Sequence, residues 1–139
     1  MKLLKDGKSV IAMNLSGVQK PLNGMYITYG LVPETEPPDA DFTYFQNLKS
    51  IDGRGFIRLS TCDAKFIPDD KVMFTGMITP EILQGHDITS NTMLTTVTMV
   101  HLGDTPAKDL FVYSTVLATP LKIVPGTFIV VNASFRIGD

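Results

Sequence analysis

"TFIVVNASFRI", residues 127–137, decides the fold class. Ile129, Val131, Ala133, Phe135 and Ile137 fall on alternate positions, with Asn132, Ser134 and Arg136 between them. Successive side chains of a strand point to opposite sides, so the segment has one face for a core and one for water. Similar strands are expected at 8–14, 24–30, 55–61, 71–78, 92–101 and 110–118, separated by turn chemistry. "DGRG" (52–55), "PDDK" (68–71), "GDTPAKD" (103–109) and "VPG" (124–126) supply the glycines and prolines that reverse a chain. No βαβ rhythm is present. The pattern predicts an all-β fold, an antiparallel β-sandwich of jelly-roll type.

One segment departs from alternation. In "DADFTYFQNLKS", residues 39–50, Phe42, Phe45 and Leu48 recur every third position and stripe one side of a short helix. Asp39 or Asp41 can cap its start, and Lys49 near its end suits the helix dipole. The helix is expected to lid one end of the sandwich. "VPETEPP" before it cannot continue a strand and reads as an exposed loop. The chain divides into an N-terminal arm, residues 1–22, and a single sandwich domain, residues 23–139. In the arm "VIAM", residues 10–13, is a short apolar strand that needs a partner. It pairs with either the edge of its own sheet or a neighbouring subunit.

"NGMYITYG", residues 23–30, has apolar bulk on both faces. Asn23-Gly24 reads as a tight turn. Tyr26 and Thr28 then share one face of a strand, and Met25, Ile27 and Tyr29 the other. Such a strand is expected to be covered twice, by the core and by the helix or a second subunit.

With 139 residues the chain is one domain, large enough to bury a core without metals or disulfides. Charged residues make up 19%, fewer than usual for soluble domains, against 44% apolar, and surface destined for a neighbour follows from that shortage. Net charge is −2 and pI 5.6, with no lysine or arginine cluster to follow a phosphate backbone, so nucleic acid is not an expected partner. Cys62 stands alone and reads as a small buried hydrophobe, with no oxidising compartment implied. Nothing resembles a signal peptide or the ~20 apolar residues of a membrane span.

Catalytic and metal patterns are weak. His101 ends the 92–101 strand and His86 lies in the loop "QGHD"; two separate histidines and one cysteine do not make a zinc set. Glu34 and Glu36, Asp39 and Asp41, and Asp69 and Asp70 do not extend to a calcium loop. No nucleophile elbow, P-loop or dinucleotide fingerprint is present. The expectation is a non-enzyme with no cofactor and no metal. A hydrolase would need a cleft gathering His101, His86 and acids. Association is better indicated: seven methionines pack adaptably, and the threonines Thr92, Thr95, Thr96 and Thr98 read as an exposed contact face or simply as good strand formers. The candidate subunit contacts are Val10, Ile11, Met13, Tyr26, Tyr29, Met93 and Met99.

"VQKPLNGMYITYG" (18–30), the helix containing "YFQNL", the strand "GFIRLS" and the closing "VYSTVLATPLKIVPGTFIVVNASFRIG" together resemble small structural proteins of tailed-bacteriophage virions. The resemblance spans roughly residues 8 to 137 and rests on packing motifs. It implies an oligomeric β-sandwich building block or adaptor in a virion: tail, collar, baseplate, head fibre or capsid decoration. Its partners would be copies of itself and other virion proteins, with neither nucleic acid nor membrane. It would be made in the host cytoplasm. The alternative is a receptor- or glycan-binding module at a fibre tip, with a host surface receptor as partner.

Overall fold

The computed structural model describes residues 1–48, 53–68, 70–86, 88 and 91–136. Among them eight strands form two antiparallel sheets. The strands are β1 (Lys2–Leu3), β2 (Gly24–Gly30), β3 (Gly55–Leu59), β4 (Asp63–Ile67), β5 (Lys71–Ile78), β6 (Met93–His101), β7 (Leu110–Lys122) and β8 (Ile129–Arg136). Three α-helices are interspersed, α1 (Lys5–Leu15), α2 (Phe42–Leu48) and α3 (Pro80–Gln84), with a 3₁₀ turn at Pro106–Lys108. One sheet has the order β1-β7-β6-β2-β3 and the other β4-β5-β8. The all-β sandwich expected from alternation is the fold observed.

Its core lies between the sheets. Met25, Ile27 and Tyr29 of β2, with Ile57, Leu94, Val97 and Met99, face Phe74 and Ile78 of β5 and Val131, Ala133 and Phe135 of β8. Burial of each large side chain contributes about 1.5–3 kcal/mol. In β8 the alternation holds residue by residue: Val131, Ala133 and Phe135 are buried while Val130, Asn132, Ser134 and Arg136 are exposed. Ile137 lies outside the described residues. Gly76 of β5 sets how closely the sheets approach. A Cβ there would meet Met25 Sδ at 2.7 Å and Leu59 Cδ1 at 2.8 Å. Gly76→Ala should therefore lose about 1–3 kcal/mol by overpacking, seen as a lower midpoint in urea with an unchanged slope.

β2 is buried along its whole length, and both of its covers belong to this chain. The second cover is α2, capped as expected by Asp41, whose Oδ1 accepts from Tyr44 N at 2.7 Å. Phe45 and Leu48 are buried, and Phe45 packs on Tyr26 with ring centroids 4.6 Å apart. Phe56 and Phe111 complete the aromatic cluster around Tyr26. The helix thus lies against the outer face of the five-stranded sheet rather than closing an end of the sandwich, because Tyr26 needs a cover there. Lys49 lies outside the described residues.

The N-terminal arm corrects the sequence reading. Residues 8–14 are not a strand but the body of α1, so "VIAM" at 10–13 has no ladder to offer a neighbour. Gly7 and Val10 lie three apart on the buried side, and this is the helical stripe that alternation missed. Gly7 is needed because a Cβ would come within 2.5 Å of the Val112 carbonyl oxygen of β7. The two residues of β1 pair with Tyr113 and Ser114 of β7, and Leu4 N donates to Val112 O at 2.8 Å. Asn14 then fastens the exit: its amide donates to Lys20 O at 3.0 Å and accepts from Lys20 N at 2.7 Å. The arm belongs to its own domain.

Strand β4 was not anticipated. All its residues except Ile67 are exposed, so it carries little hydrophobic signature. It reverses into β5 through Asp70, which adopts φ 61°, a conformation that Asp tolerates better than most residues.

Candidate functional site

The most developed polar arrangement lies at one end of the groove beside α2. Tyr26 of β2 and Arg58 of β3 are direct cross-strand partners. Alternation sends both to the outer face of the five-stranded sheet. Asp109, just after the 3₁₀ turn, descends between them. Arg58 Nε donates to Asp109 Oδ2 at 2.8 Å and Nη2 to Oδ1 at 3.0 Å, a two-pronged pair. Tyr26 Oη donates to Oδ2 at 2.5 Å and Gly103 N to Oδ1 at 2.8 Å. The Asp109 side chain is 0% exposed and that of Arg58 26%.

The electrostatics follow from this geometry. Burial alone would raise the Asp109 carboxyl, but the hydrogen bonds from Arg58, Tyr26 and Gly103 outweigh it and hold the group below the ordinary carboxylate value. Burial, and then the neighbouring carboxylate, push the Tyr26 hydroxyl well above its usual range. The bonds to Asp109 keep Arg58 charged. A carboxylate with this many donors is a poor base, and a phenol donating to it is a poor nucleophile. The trio acts as a clamp joining β2, β3 and the 103–109 loop.

Above the clamp is a groove of about 460 Å³, lined by Tyr26, Phe42, Phe45, Gln46, Phe56, Arg58, His86 and Pro106. Neither Arg58 nor Asp109 was picked out by sequence reasoning. Arg58 was one polar residue in an alternating strand and Asp109 one acid in a turn; the fold alone joins positions 51 apart.

The histidines are held separately. His101 Nδ1 donates to the Pro21 carbonyl at 2.8 Å, beside the start of β2. His86 lies against Tyr29 at the other end of that strand, its Nδ1 3.3 Å from the hydroxyl. A cleft gathering both is not formed. The Cys62 thiol donates to Leu22 O at 3.7 Å, and burial, then the charge of Asp63, push it up to about 11. Glu34 forms an ion pair with Arg54, and Asp39 an exposed one with Lys2 at 3.7 Å. Among the described residues no three His, Cys, Asp or Glu side chains lie together as metal ligands, and no helix is long and apolar enough to cross a membrane.

Of the candidate subunit contacts, Val10, Tyr26, Tyr29 and Met99 are core residues of this chain, with no free surface for another. Ile11, Met13 and Met93 are half-buried. The threonines are not an exposed face either. Thr92, Thr95, Thr96 and Thr98 are buried, and Thr28 Oγ1 bonds to the hydroxyls of Thr95, at 2.9 Å, and of Thr96. The exposed large hydrophobics lie elsewhere, among them Leu15, Phe66, Met77, Val124, Phe128 and Val130. Comparison with models of protein families, with curated proteins and with solved structures finds no match to this chain.

Proposed function

We propose that this chain is a non-enzymatic structural subunit that works by association, as a β-sandwich building block of a tailed-bacteriophage virion. The observation that carries this reading is the outer side of the three-stranded sheet. Met77 and Val130 stand opposite each other in the β5–β8 ladder, 52% and 53% exposed, and Phe128, two residues before Val130, is 65% exposed. Grouped apolar side chains of this size on a protein surface mark a contact site. The low charge content of the sequence points the same way, and the virion setting rests on the packing motifs of residues 18–30, 39–50, 55–60 and 112–138.

Mass spectrometry of purified particles of the encoding phage tests this reading. The chain should be present at a fixed stoichiometry through density-gradient purification. Its absence from intact particles would remove the virion assignment.

A second reading is supported by the α2 groove. Half-buried Phe42 and Phe56 offer ring surfaces beside the Arg58 and Gln46 donors, the mixture by which a site holds a sugar. Titration with host-surface oligosaccharides, with Phe56→Ala as control, distinguishes it. Saturable binding lost in that variant would favour a receptor-binding module.

A further inference from the structure

We propose that the free edge of β4 pairs with β4 of a second copy, antiparallel about a two-fold axis at Ala64, joining two three-stranded sheets into one of six strands. The inference deepens the association reading above and rests on it.

β4 is an edge strand: among the described residues it pairs with β5 on one side alone. Its backbone groups on the other side face outward, the usual template for strand addition. The two-residue β1 and the bonds of Leu4 help blunt the opposite margin of the larger sheet, but among the described residues β4 has no such cover.

The sequence of the strand selects the partner and the register. Around "TCDAKFI", residues 61–67, a two-fold at Ala64 sets Asp63 opposite Lys65 of the second copy, and Lys65 opposite its Asp63. Both residues lie on the outer side of the sheet, in register with Thr75 and Met73, and both are exposed. Among the described residues neither has an ion-pair partner within the chain. Shifting the axis by one residue places Asp63 against Asp63 or Lys65 against Lys65. Opposite charges directly across a ladder stabilise it and like charges do the reverse, so one register is favoured over both neighbours.

The inner side agrees. There Phe66, 72% exposed, comes opposite Cys62 of the second copy, which already packs against the core. Alongside, Val72 (the β5 partner of Phe66) lines an apolar cavity of about 330 Å³ between α1 and the two sheets. A pair formed this way covers an aromatic ring that the single chain leaves in water.

Sedimentation velocity of charge variants tests the proposal. Both positions are exposed, so the variants should fold, checked by circular dichroism. Asp63→Lys and Lys65→Asp should each weaken self-association by about tenfold or more, because both cross-strand pairs become like-charged. Mixing the two single variants should restore it, since a strand with lysine at both positions then faces a strand with aspartate at both. The double variant, D63K with K65D, should associate like the original chain. If the chain associates and the single variants do so equally well, the β4 contact is wrong while the association reading stands. If the original chain never associates, both fall.

Discussion

Removing residues 1–16 is expected to unfold the domain, not to release it from a neighbour. Leu4 and Val10 are 2% and 1% exposed, and the deletion also takes the β1 pairing and the Gly7 contact with β7. Losing one buried aliphatic side chain costs about 2–5 kcal/mol, and a domain of this size has roughly 5–15 kcal/mol in total. Two such losses with the backbone bonds leave little. The measurement is thermal unfolding of the truncated chain beside the intact one, with Val10→Ala as a milder variant that should lower the midpoint while remaining folded. An unchanged midpoint after truncation would mean that α1 does not support the core.

The second large effect is at Asp109. Asp109→Ala leaves the Arg58 charge and the Tyr26 hydroxyl facing one another without their shared acceptor, and breaking a buried pair this way costs about 3–5 kcal/mol. Chemical denaturation reads it directly. The same group sets an acid limit. Its carboxyl binds a proton less readily in the folded chain than in the unfolded one, because the hydrogen bonds from Arg58, Tyr26 and Gly103 hold it below the ordinary carboxylate value. The stability it contributes is therefore complete above the unfolded value and is lost as pH falls through the lower folded value. The intact chain should lose stability as pH falls below about 4, and Asp109→Asn should be less stable at neutral pH with a shallower acid slope. Equal slopes would show that other carboxylates set the limit.

How much of this was legible in the sequence depends on where the partner of each residue lies. The sandwich is legible because β8 alternates against a single core, and β2 reads as doubly covered because both its faces are apolar. Helix α2 was readable from Phe42, Phe45 and Leu48 and from the Asp41 cap. Helix α1 was not, since Gly7 looks like a helix breaker until β7 is seen to need the space. β4 escaped because an exposed edge strand need not alternate. The surface was the hardest part: Met99 and the threonines are good strand residues whether buried or exposed. The distinction is made by a second sheet and by α2, which period-two spacing does not locate. The clamp was invisible for the same reason, as Tyr26, Arg58 and Asp109 meet only in space.

As proposed, this chain functions by association through surfaces the single domain leaves open, and sedimentation of the intact chain from low to high micromolar concentration is the decisive measurement. The prediction is a concentration-dependent shift from the 15.2 kDa monomer to larger species, with slowed backbone hydrogen exchange along β4. A single 15.2 kDa species at every concentration, with β4 exchanging equally fast throughout, would contradict it.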